Sequence, residues 1–583
     1  MASEIKNKDG KPVIIRDILA ESARLYADIP AYLHKESREG GYIPITYKQL
    51  YADINALGAV MTDLGLRGKK IALLGDNSYQ WIATYLAAVC GGIVVVPLGT
   101  ELGDEAVINL IGVSGCEALF FTERFDKTAD HADVRMKFRM NRYAGQGDPG
   151  GAESWAGLLS SGRALPKKKI DAFRSQRIDP DAMSLLMFTS GTTGRAKGVM
   201  VSTSHVSHNV WDMEQAHDIK PGDITVSILP IYHIFEAVMG QQFMLAHGAT
   251  IAFGDGVKYL KQNMKEAGAN VQLLVPLLVE NFYKTIWRAA KRNGKEEDLS
   301  RRVAEFRRMR REYAKANGSD DDREIRRIGR EMFREELAEF GGKLEMIFTG
   351  AAAVDPKYIR GLHDIGLKVT QGYGMTEAGC LVATTPYFSD TYNSAGSVGP
   401  VTPSGRLSIS EPGADGVGEI MYRGPCVMLG YYGMQEETAK VIKDGWYYTG
   451  DYGFIDEKGW LYITGRKNNI IVTKTGKNIY PEELESELAK NPYIGEMMIY
   501  GGEDHLRGGI AVSVQIRPDM DAIKADKGEL SESDITGLMK EIVARFNETL
   551  PNFKRIRNVY IRDTEFVKTA TGKLMRQASI DTF

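Results

Sequence analysis

Four cysteines in 583 residues (Cys90, Cys116, Cys380, Cys426) are too few and too scattered for a disulfide framework or a paired thiolate metal site. That scarcity suits a reducing compartment, with all four read as buried small apolar residues. Charge of one sign is also lacking. Lys and Arg number 73 against 76 Asp and Glu, a net charge of −3 that argues against a dedicated nucleic-acid binder. Long hydrophobic runs are scarce. One uncharged run, residues 81–98, is just long enough to test as a membrane span, but it contains Gly91-Gly92 and Pro97. It reads instead as a buried helix over 81–89, a turn, and a buried strand over 93–96. Residues 1–12 are polar and carry lysines, with no apolar signal core behind them. These readings predict a cytoplasmic protein without a transmembrane span.

What is present is enough material for two or more domains. Leu50, Ile54, Leu57, Met61 and Leu64 recur at helical spacing, with Thr46 placed to cap the start and Gly65 the end. Lys70-Ile71-Ala72-Leu73-Leu74-Gly75 reads as a buried strand entering a turn, and helix then strand repeats through residues 81–96. Such alternation predicts an α/β fold with layered, mostly parallel sheets. Residues 139–170, rich in Gly, Ser and Lys, read as surface loops. Residues 288–340 are dense in charge of both signs and read as a helical hairpin inserted in the body, broken at Asn317-Gly318. Two readings of its Arg301–311 cluster stand: a solvated face, or peripheral contact with an anionic membrane. Past Tyr462 the texture changes. Strands at 510–516 and 558–561 and a helix at 531–550 predict a small α+β domain, with a boundary near 466–469.

The most informative stretch is Phe188-Thr189-Ser190-Gly191-Thr192-Thr193-Gly194-Arg195-Ala196-Lys197-Gly198-Val199. Its glycines let backbone N–H groups converge on phosphate oxygens, Thr189, Ser190, Thr192 and Thr193 add hydroxyl donors, and Lys197 adds charge. A Walker loop needs its lysine beside the last glycine and a Ser or Thr after it. Here two residues separate Gly194 from Lys197 and Gly198 follows, so this is a nucleotide loop of another kind.

The loop resembles the signature of the adenylate-forming enzymes, which include acyl-CoA synthetases, peptide-synthetase adenylation domains and firefly luciferase. The resemblance recurs in order at Leu229-Pro230-Ile231-Tyr232-His233, Gln371-Gly372-Tyr373-Gly374-Met375-Thr376-Glu377, Tyr448-Thr449-Gly450-Asp451, Gly465-Arg466-Lys467-Asn468 and Lys568-Thr569-Ala570-Thr571-Gly572-Lys573. Phe188 stands where Tyr is usual, Ala196 where Pro is usual, and Asn468 where the hinge usually has Asp or Lys. The resemblance implies a body over 1–466 and a mobile lid over 467–583.

It also implies the roles. ATP would lie with its β- and γ-phosphates on loop 188–198 and its adenine between Tyr373 and the wall Gly350-Ala351-Ala352, with Gln371, Gly372, Gly374 and Met375 shaping the same edge. Thr376 would meet the α-phosphate and Glu377 would ligate Mg²⁺. Asp451 and Arg466 would hold the ribose, and His233 would work beside the carboxylate. Lys573 would bridge carboxylate and α-phosphate, offsetting repulsion between two anions. After a swivel about Asn468, Gly476 would let a pantetheine arm pass while Lys474 and Lys477 steer coenzyme A. His205 and His208 lack a third ligand and read as structural.

The reaction so implied joins a carboxylic acid to ATP, giving acyl-AMP and pyrophosphate, then a thioester with coenzyme A. Gly476-Lys477-Asn478-Ile479 with Pro481-Glu482-Glu483-Leu484-Glu485, and the charged insertion, resemble the long-chain acyl-CoA synthetase branch. A medium- to long-chain fatty acid is therefore the expected substrate, with Phe235, Ala237, Val238 and Met239 available to an apolar tunnel. Aryl- or other carboxylate-CoA ligases, acyl-AMP ligases loading a carrier protein, and an inactive nucleotide-binding scaffold are the alternatives.

Overall fold

The computed structural model describes residues 6–7, 9–143, 151–189, 196–318, 322–389, 392–472, 478–503, 510–568 and 574–583. The chain divides into two compact units, residues 1–406 with 422–447, and residues 407–421 with 448–583.

The first unit is α/β. Its largest sheet has eight strands in the order Gly430–Tyr431, Lys197–Ser202, Met183–Thr189, Val94–Leu98, Lys70–Leu74, Ala118–Phe121, Met136–Arg139 and Glu153–Ser154. Pairing is parallel from Met183–Thr189 through Glu153–Ser154 and antiparallel at the Lys197 edge. Val94–Leu98 and Ala118–Phe121 are buried along their whole length, as expected of parallel strands covered on both faces. Helix Tyr47–Asp63 starts where expected: Thr46 caps the Gln49 N–H and the Gln49 side chain returns to Thr46. The apolar run 81–98 resolves into helix Tyr79–Cys90, capped by Ser78, and strand Val94–Leu98. No helix among the described residues is long and apolar enough to cross a membrane. All four cysteines are free and buried.

A second sheet runs Ile224–Ser227, Thr250–Phe253, Pro30–His34, Ile43–Thr46. A third runs Val271–Leu274, Met346–Thr349, Lys368–Tyr373, Ala383–Thr384. The Gln272 side chain joins these two, accepting from the Val226 N–H and donating to its carbonyl. Each sheet is parallel except for one antiparallel edge strand.

Two expectations change. Residues 139–170 are not merely loops: they include helix Trp155–Arg163 and the start of helix Lys167–Ser175. Trp155, Leu158 and Leu159 form the buried stripe of the first, and Gly162 lies so close to the Ala56 carbonyl that a side chain has no room. Phe173 of the second helix fills the space beside Gly58. Nine-residue helices show too few turns for periodicity to stand out, and one glycine that read as loop, Gly162, is a helix-crossing point. The inserted hairpin is likewise more than a solvated face. Helix Glu296–Asn317 buries Leu299, Val303 and Phe306 in a cluster shared with Ile325, Phe333 and Leu337. Its arginines are largely paired: Arg302 with Asp298 and Glu336, Arg307 and Arg310 with the buried Asp364.

In the second unit, Ile494–Glu503 and Ile510–Pro518 pair antiparallel and Asn558–Ile561 joins parallel. Helices Pro481–Leu488 and Glu532–Glu548 contribute Leu484, Leu488, Met539 and Val543 to its own core. Ser531 caps the longer helix through a capping box with Asp534. Residues 451–455 and Leu461–Arg466 pair antiparallel, with Asp451 opposite Arg466. This is an α+β unit smaller than the first.

Candidate active site

The phosphate side is built on a β-hairpin. Met183–Thr189 and Lys197–Ser202 pair antiparallel with Thr189 opposite Lys197 and Phe188 opposite Gly198. Ser190, Gly191, Thr192, Thr193 and Gly194 lie outside the described residues. Lys197 Nζ donates to Glu437 Oε2 at 3.0 Å and sits 4.9 Å from the Tyr431 ring centre. The Tyr431 hydroxyl in turn donates to Glu377 Oε1 at 3.1 Å. The loop lysine and the expected metal carboxylate are thus joined through one phenol. Burial, then the Glu377 charge, push that phenol well up, so it remains a donor. Lys440 and then Lys197 hold the Glu437 carboxyl below its ordinary range.

Tyr431 and Glu437 were not singled out from the sequence. Their positions follow from pairing: Gly430–Tyr431 adds to the Lys197 strand, with Tyr431 opposite Val199. Gly430 has φ of 134°, and the Tyr431 N–H is held by Thr438 Oγ1 at 2.9 Å.

The adenine side forms where two parallel strands end side by side, the usual place for a ligand in such a sheet. Thr349 is opposite Gln371, so Gly350-Ala351-Ala352 and Gly372-Tyr373-Gly374 emerge next to each other. A side chain at Gly350 would press on the Gly372 carbonyl, and one at Gly374 would fall on the Cys380 carbonyl. Ala351 has φ of 73°, a left-handed conformation that costs a non-glycine residue about 1 kcal/mol or more and tends to persist at ligand sites. Gln371 is buried and its Nε2 donates to the Ser397 carbonyl at 3.0 Å. Tyr373 is buried at the strand's end, and Met375 precedes the 3-10 turn Thr376–Ala378 that carries Thr376 and Glu377. Asn209 steadies that turn, accepting from the Leu381 N–H at 2.7 Å and donating to the Ala378 carbonyl at 3.3 Å. It too went unnoticed in the sequence.

On the acid side, Tyr232 and His233 lie ring to ring with centres 4.7 Å apart, and the Tyr232 hydroxyl donates to Glu101. The chain then enters a wide π-helical stretch, Glu236–Phe243, buried throughout. Val238 and Met239 belong to the main core, with Phe235 packed against it and beside Gly350. His205 caps its own helix by accepting from the Ser202 N–H, and burial lowers it to about 4. His208 bonds the Ser204 carbonyl. Both are structural.

In the second unit, Arg466 Nε lies 2.7 Å from Asp451 Oδ1, with Asp451 buried and Arg466 about half exposed. Gly450 N–H donates to Glu419 Oε1 at 3.2 Å and Lys467 Nζ to Glu419 Oε2 at 2.6 Å, which fixes the turn on both sides of that pair. Lys474, Gly476, Lys477 and Lys573 lie outside the described residues.

Glu377 suits Mg²⁺, which asks for one or two carboxylates plus phosphate oxygens and water rather than an all-protein cage. It is only part-buried, and Tyr431 engages one of its oxygens. Among the described residues no cluster of three or more His, Cys, Asp or Glu could hold a metal by itself.

Residues 19–432 match the AMP-binding enzyme family and residues 468–583 match the AMP-binding enzyme C-terminal domain. Among relatives, the chain is 28% identical to an indoleacetate–CoA ligase of Aromatoleum aromaticum, over 91% of this chain and 92% of that protein. It is 27% identical to the peroxisomal long chain acyl-CoA synthetase 6 of Arabidopsis thaliana, over 91% and 77%. The fold matches that of o-succinylbenzoate coenzyme A synthetase from Bacillus subtilis, solved with ATP and magnesium, with a TM-score of 0.69 at 20% identity over 97% of this chain and 99% of that one. With family models matching residues 19–432 and 468–583, most of its length, this chain belongs to the AMP-binding enzyme family.

Proposed function

We propose that this enzyme is an acid–thiol ligase that activates a medium- to long-chain fatty acid with ATP and transfers the acyl group to coenzyme A. A carboxylate oxygen attacks the α-phosphorus, the bond to the β-phosphate oxygen breaks, and pyrophosphate leaves. The thiol sulfur then attacks the acyl carbonyl, its proton is lost, and AMP departs. The observation that carries the reading is the Lys197–Tyr431–Glu377 connection: it joins a phosphate-loop cation to a carboxylate suited to Mg²⁺. Mg²⁺ held by Glu377 would screen the triphosphate charge. Thr376, on the same turn, offers its hydroxyl to the α-phosphate, and the glycine-bounded edge at Gly350 and Gly372 suits a flat ring. Asp451 and Arg466 serve the ribose, and His233 orients the acid.

Lys573 is proposed as the lid cation of the first half-reaction, with residues 467–583 swivelling about Asn468 so that Lys474, Gly476 and Lys477 serve coenzyme A in the second. Lys573→Ala then lowers acyl-AMP formation by about a hundredfold or more while thioester formation from supplied acyl-AMP stays within a few-fold. Equal loss of both halves removes this role.

The relatives support two substrate classes. The indoleacetate–CoA ligase favours an aryl acid, and the long chain acyl-CoA synthetase and the charged insertion favour a fatty acid. Release of AMP in the presence of ATP, Mg²⁺ and coenzyme A, measured over fatty acids of graded length and over indoleacetate and benzoate, decides between them. A preference for the aryl acids overturns the fatty-acid reading. Replacing coenzyme A by a phosphopantetheinyl carrier protein tests the acceptor, and a protein silent with every acid is a scaffold.

The work is proposed to be cytoplasmic, with any membrane contact peripheral.

A further inference from the structure

A polar brace stands behind segment 229–233. Asn77 comes from the turn between strand Lys70–Leu74 and helix Tyr79–Cys90, some 150 residues away in sequence. Its Nδ2 donates to the Leu229 carbonyl at 2.7 Å and to Ser227 Oγ at 2.9 Å, and its Oδ1 accepts from the Ile231 N–H at 3.1 Å. One side chain therefore grips the loop at three points. Ser227 Oγ passes the connection on, donating to Glu236 Oε1 at 2.6 Å. Gln241 Nε2 donates to the same carboxylate oxygen at 2.9 Å and to Ser227 Oγ at 3.0 Å, and the Tyr32 hydroxyl donates to Gln241 Oε1 at 3.1 Å. The residues entering and leaving the loop, Ser227 and Glu236, are thus tied to each other, and Asn77 holds the middle.

This arrangement is costly as mere packing. Glu236 is fully buried, and among the described residues no Lys, Arg or His pairs with it. An unpaired buried carboxyl lowers stability, and an apolar residue of similar size would serve a core better. The backbone also bends to admit it. The π-helical stretch Glu236–Phe243 is a rare conformation found mostly at functional sites, and a side chain at Gly240 would collide with the Glu236 carboxyl group.

We infer that Asn77 and Glu236 are positioning residues for the acid-side segment: through Leu229, Ile231 and Ser227 they set where Tyr232 and His233 stand relative to the bound carboxylate. This rests on the acid-activating reading above. Neither residue touches the Lys197–Tyr431–Glu377 chain, so their effect falls on the acid and not on the nucleotide.

The brace also has a pH signature. Burial raises the Glu236 carboxyl to about 7, with hydrogen bonds from Ser227 and Gln241 pulling the other way. The titratable group facing it among the described residues, Tyr32, stays neutral because burial lifts its phenol well above the ordinary value. Once ionised, Oε1 draws both donors into charge-assisted bonds, and the brace tightens as pH rises through about 7.

The test uses the full chain and acid-dependent exchange of labelled pyrophosphate into ATP, without coenzyme A, from pH 5.5 to 8.5. A displacement near 1 Å in a reacting geometry costs up to about a hundredfold. Asn77→Ala and Glu236→Leu should therefore lower kcat/KM for the acid by roughly 30-fold or more, with KM for ATP within about twofold. Glu236→Gln, which keeps the acceptor oxygen, should stay within about fivefold of wild type and lose the rise near neutral pH. Phe340→Leu, a core change away from the loop, controls for simple destabilisation: it should lower Tm and leave KM for acid unchanged. A wild type that exchanges with an acid alongside an Asn77→Ala variant that matches it overturns the brace alone. So does an equal change in the acid and ATP constants, or a neutral-pH rise that persists in Glu236→Gln. A wild type silent with every acid overturns the functional reading and this inference with it.

Discussion

Segment 229–233 is held by the part-buried Asn77, backed by the buried Ser227 and Glu236 with no counter-ion among the described residues, whereas Lys197 is held by an ion pair whose members are 17% and 36% exposed. Inside the protein a hydrogen bond gains strength from low polarity, and removing one partner strands the other. Near the surface the same separation is screened by water and salt and contributes little net stability. The acid side is therefore rigid by construction and intolerant of truncation. The phosphate side keeps its charges in an arrangement that an incoming polyanion can rearrange. The proposed reaction, which must bring two anions together, gains from that division: a fixed seat for one, an exchangeable cation for the other.

The sharpest way to break the comparison is to remove a group on the exchangeable side that electrostatics alone makes essential. Glu377→Ala should lower acid-dependent pyrophosphate exchange by about a hundredfold or more, because the carboxylate suited to the metal is gone. Its effect on Tm should be small, since the side chain is only part-buried. A variant that loses stability instead of rate would place Glu377 with the structural groups. The next effect is on the rigid side and concerns stability. The folded-state value of Glu236, about 7, lies above its ordinary 4.5. The folded protein thus keeps a proton that the unfolded chain gives up, so stability is full below about pH 4.5 and is lost as pH rises through 7. The loss at pH 8.5 is on the order of 3 kcal/mol, and Glu236→Gln should remove it, flattening Tm between pH 5.5 and 8.5 relative to wild type. Parallel Tm curves for the two proteins would show that the carboxyl is not buried as described.

How much of this was readable in the sequence depends on the range of the signal. Thr46, Ser531 and Gly318 announce helix ends because caps act within a turn, and they sit where the structure puts them. The α/β layering was legible for the same reason: Lys70–Leu74 and Val94–Leu98 are short apolar runs whose burial on both faces leaves no alternation. The motifs around Thr189, Gly372 and Asp451 carry unusual residues at fixed spacing, so they stood out too. The groups that hold those motifs did not. Asn77, Asn209 and Glu437 meet Leu229, Leu381 and Lys197 across 152, 172 and 240 residues of chain, and nothing local distinguishes them from ordinary surface polar residues. Trp155–Arg163 was missed for the opposite reason: its glycines imitate a loop, although Gly162 is there for close helix contact with Ala56. The π-helical stretch after His233 had no sequence sign, because the wide turn is set by Glu236 reaching Ser227 and by the space at Gly240.

The smallest expected effect is also the finest test of the contrast between the two sides. In the unliganded protein Glu437 pairs with Lys197, and on the proposed reading the triphosphate competes for that cation. Glu437→Gln removes the competitor and leaves Lys197 over the Tyr431 ring, so KM for ATP should fall by up to about threefold at low ionic strength. Added salt at about 0.5 M should erase the gain, because a partly exposed charge interaction is largely screened at that strength. Maximal exchange rate should be unaltered, since the pair is broken before the reacting complex forms. A KM that rises in the variant would mean Glu437 aims Lys197 instead of competing for it. The phosphate side would then be a fixed seat like the acid side, and the division of labour drawn between them would not hold.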